Sequence, residues 1–241
     1  MKKFGLIGKP LAHSFSRSFF LQYFEKENIE AGYDNIELDN ISCFADIKKQ
    51  KEYSGFSVTN PYKELIIPYL DDLDDTAQMI GAVNCINVEK GRYIGYNTDC
   101  YGFTKAILPH IQLNHTKALV LGSGGASKAV CYALQKMNIA VTIVSRQKVE
   151  GRITYEELTA DIFDTHLVVV NATPVGMFPN VDDSPPISYQ YASEKHLFFD
   201  LIYNPKNTLF LQKSKENGAL VLNGYEMLVN QALRAIEIFN I

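Results

Sequence analysis

The chain has 241 residues, 46% of them hydrophobic, enough to bury one large core or two modest ones. A net charge of −4 leaves no basic footprint for nucleic acid, and no apolar run approaches a membrane span. Cys43, Cys85, Cys100 and Cys131 show no C-x-x-C spacing and the histidines are scattered, so no metal or disulfide framework is assigned and a reducing cytoplasm is expected.

Residues 4–7 form a first apolar run, read as a buried strand; halted by Lys9-Pro10, it is too short for a signal-peptide core. A turn-rich loop carries Ser14 and Ser16. From Ser18 to Asn28, Phe19, Phe20, Tyr23 and Phe24 recur at helical spacing. A strand over 33–38, a short helix over 43–51 and a strand over 55–58 follow. Thr59-Asn60-Pro61 reads as a helix start, since proline is favoured at the first helical position. Residues 80–88 and 92–94 read as paired strands around Glu89-Lys90-Gly91. A helix then runs to about Leu108, and polar residues 109–116 mark a junction.

Beyond it, the apolar run 118–121 stops at Gly122-Ser123-Gly124-Gly125-Ala126-Ser127, and a helix to Met137 follows. This is a strand, a tight turn and a helix whose free N–H groups suit a phosphate. The glycines fit two positions of the dinucleotide fingerprint, while Ser127 stands at the third. A plain strand-to-helix turn is the other reading. The short apolar runs at 140–144, 167–170, 197–199 and 219–222 are the signature of parallel strands covered on both faces. An amphipathic helix over 225–239 closes the chain. Alternating strands and helices predict a doubly wound parallel sheet in this half.

After the strand ending at Val144 stands Ser145-Arg146-Gln147-Lys148, with no acid to take ribose hydroxyls. Arg146 and Lys148 either solvate a strand end or grip a 2′-phosphate. With the glycine turn upstream the second reading is preferred, which favours NADP.

Three polar groups lie at strand ends in the first half. Ser14 and Ser16, at alternate positions of an extended loop, either satisfy turn backbone or point two hydroxyls at a carboxylate. Lys63, in the first turn of a helix opened by Pro61, is either a solvated cation or an acid–base group, since a cation there opposes the helix dipole. Asn84 stands with Asn97-Thr98-Asp99, where Asp99 is the natural N-cap of the next helix and keeps a second oxygen in reserve.

Taken together these motifs resemble the shikimate dehydrogenases. The resemblance runs through Gly8-x-Pro10-x-x-His13-Ser14-x-Ser16, Val58-Thr59-x-Pro61-Tyr62-Lys63, Gly81-Ala-Val-Asn84 and Gly95-x-Asn97-Thr98-Asp99. It continues through the glycine turn, Asn171-Ala-Thr-Pro-Val-Gly-Met177, Asp200-Leu-Ile-Tyr203-Asn-Pro205 and Asn223-Gly224-x-x-Met227-Leu228-x-x-Gln231, in the family's order. It implies NADP-linked, reversible reduction of 3-dehydroshikimate to shikimate, in aromatic amino-acid biosynthesis. It also implies an N-terminal α/β substrate domain (1–100), a Rossmann-like doubly wound NADP domain (101–224), and a C-terminal helix (225–241) that returns to the substrate domain. By analogy Lys63 and Asp99 are the catalytic pair. Ser14 and Ser16 would hold the substrate carboxylate, and Thr59, Asn84, Asp99, Tyr203 and Gln231 the ring hydroxyls. Gly122, Ser123, Gly124, Gly125, Ala126, Ser145, Arg146, Leu201 and Gly224 would line the cofactor, with Asp75 a weaker candidate. The expected enzyme is cytoplasmic, a monomer or homodimer, with a small-molecule substrate and no nucleic-acid or membrane partner.

The chain departs from the family at Arg17, where proline is usual, at Cys100, where glycine is usual, and at Ser145, where asparagine is common. It is also short between Arg146 and Asn171. An NAD-linked quinate/shikimate dehydrogenase is disfavoured by the missing acid after Val144. A methylene-tetrahydrofolate dehydrogenase is disfavoured by Ser14/Ser16 and Asn97-Thr98-Asp99. A ligand sensor of the same fold is disfavoured by the intact Lys63 and Asp99.

Overall fold

The computed structural model describes residues 1–11 and 14–241, so His13 of the N-terminal motif lies outside the described residues. The chain divides into two compact units, residues 1–98 with 231–241, and residues 99–230.

The first unit runs β1 (Lys2–Gly8), α1 (Phe15–Lys26), β2 (Ala31–Glu37), α2 (Phe44–Gln50), β3 (Gly55–Val58), β4 (Asp72–Leu73), α3 (Asp75–Ile80), β5 (Cys85–Glu89) and β6 (Arg92–Tyr96). They form one sheet in the order β2-β1-β3-β5-β6-β4. β1 is parallel to β2 and β3, whereas β5 is antiparallel to β3 and β6. The β5–β6 turn has two residues, Lys90 and Gly91, at φ 51° and 80°. Two positive φ values match the strand twist of a tight hairpin, and glycine takes one of them at no steric cost. Period-2 alternation sorts β1 between two cores. Phe4 and Leu6 pack with Phe20 and Phe24 of α1, while Ile7 joins Phe44, Phe56 and Val58 on the other face. The final residues complete the first core, with Phe239 stacked on Phe4 at 4.7 Å. Gly55 is required there, because a Cβ would sit 2.7 Å from the Phe239 ring.

The second unit runs α4 (Asp99–Ile107), β7 (Lys117–Leu121), α5 (Gly125–Lys136), β8 (Ala140–Ser145), β9 (Arg152–Thr154), α6 (Ala160–Thr165), β10 (Val168–Asn171), β11 (Leu197–Asp200), α7 (Leu209–Glu216), β12 (Leu220–Leu222) and the start of α8 (Tyr225–Phe239). Its strands are all parallel, in the order β9-β8-β7-β10-β11-β12. Strand order reverses at β7/β10, which is the doubly wound dinucleotide topology, and ligands in such sheets bind at the carboxyl ends of strands beside that reversal. β10 and β11 are buried throughout, as their unbroken apolar runs require.

Two expectations fail locally. No helix begins at Pro61. Residues 60–66 form turns, followed by a single 3₁₀ turn over Ile67–Tyr69. The Lys63 carbonyl, which a helix would pair with residue 67, accepts from the Val83 N–H at 2.7 Å instead. Pro68 has no N–H with which to continue a helix. The strand expected from Ile80 begins only at Cys85, because Ile80 is the last residue of α3. Asp74 caps α3 by accepting from the Ala77 N–H at 2.8 Å, and Gly81 ends it at φ 68°.

Candidate active site

In the first unit, the candidate residues gather at one end of the sheet. The carboxyl ends of β1, β3 and β6 meet the amino end of β5 there, because β5 runs against its neighbours. The Thr59 N–H donates to the Ile7 carbonyl at 2.8 Å and the Lys9 N–H to the Asn60 carbonyl at 3.0 Å, so the loops after β1 and β3 run side by side. Gly8 permits this approach: a Cβ on it would fall 2.4 Å from the Thr59 methyl. The Lys63–Val83 bond then ties the Lys63 loop to the residue before Asn84. Lys63 itself is half-buried.

Asn84 is the centre of a second cluster. Its Oδ1 accepts from the Thr98 N–H at 2.6 Å, and its Nδ2 donates to Thr98 Oγ1 at 2.9 Å. Gln231, on the part of α8 that belongs to this unit, brings Oε1 to 3.4 Å from Asn84 Nδ2 and 3.3 Å from Thr98 Oγ1. Asn97 donates to the Ala82 carbonyl at 2.9 Å, which fixes the segment leading into Asn84 and β5. Asn84, Asn97 and Thr98 are all buried, a placement polar side chains accept only when hydrogen-bonded. Sequence reasoning gives Thr98 no role of its own, although its place between Asn97 and Asp99 in the motif points at it.

Ser14 and Ser16 are not in an extended loop. Ser14 occupies the N-cap position of α1 without making a capping bond, and Ser16 lies in the helix's first turn. Ser16 lies near the buried phenol of Tyr33, whose hydroxyl donates to Ser57 Oγ at 2.7 Å. Asp75 is exposed in the first turn of α3, in the first unit, whereas all the other cofactor candidates belong to the second.

Asp99 is the first helical residue of α4 rather than its N-cap, and it is buried. Cys100 beside it packs its side chain against the core formed by Phe103, Val120 and Phe199.

The remaining cofactor candidates cluster at the carboxyl ends of the second sheet. Gly122 follows β7 at φ 105°, with its N–H on the Val144 carbonyl at 2.9 Å. A Cβ there would press on Thr173 and Ala172 at 3.0–3.1 Å, so only glycine suits the turn. Gly124 is the N-cap of α5, and a Cβ on it would meet nothing within 4 Å. That open space lies over the first N–H groups of a twelve-residue helix, a phosphate-binding arrangement. Ser127 is buried and donates to the Gly122 carbonyl at 2.7 Å, so the serine at the third fingerprint position braces the turn. At the end of β8, Ser145 is buried and donates to the Gln147 carbonyl at 2.7 Å, shaping the loop on which Arg146 stands exposed. Lys148 is ion-paired with Glu157. Leu201 and Gly224 touch backbone to backbone: a Cβ on Gly224 would sit 2.0 Å from the Leu201 carbonyl oxygen. These residues fit a dinucleotide, with Gly124 leaving open space over the α5 N-terminus, Gly122 and Gly224 letting neighbouring backbone pack closely, and Arg146 standing at the β8 end.

One buried carboxyl braces the neighbouring loops. Asp200, at the end of β11, accepts from Asn171 Nδ2 at 3.0 Å, the Ile202 N–H at 3.1 Å and Thr208 Oγ1 at 2.6 Å. Asn171 Oδ1 in turn accepts from the Thr173 N–H at 3.0 Å and its hydroxyl at 2.6 Å. Together they fix the segments after β10 and β11, including the approach to the half-buried Tyr203. Burial pushes the Asp200 carboxyl up to about 7, against the pull of its three donors. Among the described residues no group of three or more His, Cys, Asp or Glu is placed to hold a metal, and no helix is long and apolar enough to cross a membrane.

Residues 6–86 match the family model for the shikimate dehydrogenase substrate binding domain. A shikimate dehydrogenase (NADP(+)) of Methanosphaera stadtmanae is 35% identical, over 98% of this chain and 90% of that protein. One from Clostridium botulinum strain Hall is 38% identical, over 96% and 94%. A shikimate 5-dehydrogenase of Thermus thermophilus, solved in complex with NADP(H) and shikimate, superposes with a TM-score of 0.88 at 30% identity, covering 99% of this chain and 93% of that one. With 35–38% identity over nearly the whole of each chain, the protein belongs to the shikimate dehydrogenase family.

Proposed function

We propose that the chain reduces 3-dehydroshikimate reversibly to shikimate with NADPH, as a cytoplasmic enzyme of the chorismate and aromatic amino-acid pathway. The observation that carries this is the joint assembly of Asn84, Thr98 and Gln231 beside the Lys63 loop in one unit, and of a glycine cradle with Arg146 in the other.

Ser14 and Ser16 hold the substrate carboxylate with hydroxyl donors. Thr59, Asn84 and Gln231 take ring hydroxyls, with Asp99 and Tyr203 as further contacts. Asn84 and Gln231 suit this task because each amide both donates and accepts, as a hydroxyl does. Their bonds to the buried Thr98 hold them in place before substrate arrives, which lowers the ordering cost of binding. Lys63 gives a proton to the oxygen of the 3-keto group during reduction and takes it back in the reverse direction. Asp99 is the second catalytic group. The α5 N-terminus, with Gly122 to Ala126, holds the pyrophosphate, Ser145 and Arg146 the 2′-phosphate end, and Leu201 and Gly224 the nicotinamide end, with Asp75 retained as a weaker cofactor contact. When bound, the nicotinamide supplies the hydride.

A panel of shikimate and quinate against NADP⁺ and NAD⁺ tests the assignment. Shikimate with NADP⁺ is expected to give the highest kcat/KM. Preference for quinate or for NAD⁺ would overturn the substrate or the cofactor assignment respectively.

A further inference from the structure

Tyr33 lies on β2, whose residues pair with β1 in the register Phe4↔Tyr33, and Ser57 lies on β3 opposite Leu6. Both project from the face that α1 covers, and the phenol reaches over β1 to donate to Ser57 Oγ at 2.7 Å. The ring is held by Phe20 of α1, stacked at 4.4 Å and 9°. Ser16 lies four residues before Phe20, so the two share a helix face one turn apart. α1 therefore docks along Tyr33, with Phe20 stacked on the ring and Ser16 one turn earlier, near the hydroxyl.

We propose that Tyr33, anchored on Ser57, is a positioning residue that sets the Ser16 hydroxyl for the substrate carboxylate. This rests on the reading that Ser16 binds that carboxylate. A phenol has one donor and two acceptor sites, and a serine hydroxyl the same. With its proton on Ser57, the Tyr33 oxygen is left as an acceptor that the nearby Ser16 hydroxyl can use. A carboxylate only accepts, so Ser16 must turn its own O–H toward it. The hydroxyl chain can then reverse: Ser57 donates to Tyr33, Tyr33 donates to Ser16, and Ser16 donates to the carboxylate. Each step is a rotation about a C–O bond; no proton changes owner and no charge moves. Burial pushes the phenol well above its ordinary range, so Tyr33 keeps its proton, and remains able to donate, at any working pH. A donor behind Ser16 also strengthens the bond in front of it, because hydrogen-bond chains polarise one another.

The test compares shikimate with its methyl ester, which lacks the carboxylate charge. In Tyr33→Phe, the KM for shikimate is expected to rise about tenfold, the scale of one hydrogen bond to a charged group, with kcat within about twofold and the ester's KM unmoved. In Ser57→Ala the same selective rise is expected at about threefold. If Tyr33→Phe does not fold, Ser57→Ala carries the test. An equal rise for acid and ester would mean a packing role and would overturn the proposal, as would no rise in either variant. Ser16→Ala separates the underlying reading. It should abolish the preference for acid over ester; if it leaves that preference intact, Ser16 does not bind the carboxylate and the proposal falls with it. If Ser16→Ala abolishes the preference but Tyr33→Phe and Ser57→Ala do not reduce it, only the role of Tyr33 is lost.

Discussion

Asp200→Asn isolates the cost of a buried carboxylate at the end of β11. The side chain is fully buried, and burial raises its carboxyl from 3.8 to about 7. Between those values the folded protein holds a proton that the unfolded chain has released. Stability therefore falls as pH rises through that window, by at most about 1.36 kcal/mol per pH unit. The roughly three-unit shift corresponds to ~4 kcal/mol in full, and ~2–3 kcal/mol of it falls between about pH 5 and pH 8. Asparagine has the same shape. Its amide oxygen can accept from Asn171 and Ile202, and its amide nitrogen can face Thr208 Oγ1. It has no charge to desolvate. The lost Thr208 donation costs about 1 kcal/mol, but equally at every pH. Urea unfolding of both proteins at pH 5 and pH 8 reads the difference. The wild type is expected to lose ~2–3 kcal/mol more than Asp200→Asn over that interval. Parallel pH dependences would refute the buried, proton-holding carboxyl.

Other substitutions test the two binding sites. Gln231→Ala should raise the KM for shikimate by about tenfold through loss of a hydroxyl contact, with nucleotide affinity unchanged; weakened NADPH binding instead would place that helix in the wrong site. Arg146→Asp should weaken NADPH binding by about 10–100-fold and NADH binding much less, read by fluorescence titration. An unchanged ratio would remove Arg146 from the 2′-phosphate. Gly224→Ala puts a Cβ 2.0 Å from the Leu201 carbonyl oxygen, so backbone must move. A loss of about 1–3 kcal/mol in thermal unfolding and weaker nucleotide binding are expected, and a variant with wild-type stability and affinity would contradict the close approach.

Much of the fold is legible in the sequence because its strongest signals are local. Unbroken apolar runs mark β7, β10 and β11, and the glycine cluster after β7 marks a turn where Gly122 must stay bare. The last helix spans the residues its 3.6-residue period predicts. What fails to show in the sequence depends on distant partners. Pro61 reads as a helix start, yet the Lys63 carbonyl is taken by Val83, twenty residues on. α3 has six residues, too few to display a helical period, and its apolar end at Ile80 merges with the strand signal of β5. Site residues follow the same division. Ser14, Lys63, Asn84 and Gln231 stand in motifs. Thr98 acquires its role only by folding against Asn84 and Gln231, and Tyr33 only by α1 covering β2 and β3.

The most direct test of the account is steady-state NADP⁺ reduction by shikimate, in the wild type and in Lys63→Ala. Wild-type turnover is expected, with Lys63→Ala slower by about 10²–10⁴ and its NADP⁺ affinity nearly unchanged. No turnover by the wild type would contradict the assigned reaction, and wild-type turnover by Lys63→Ala would contradict the role of the lysine at its centre.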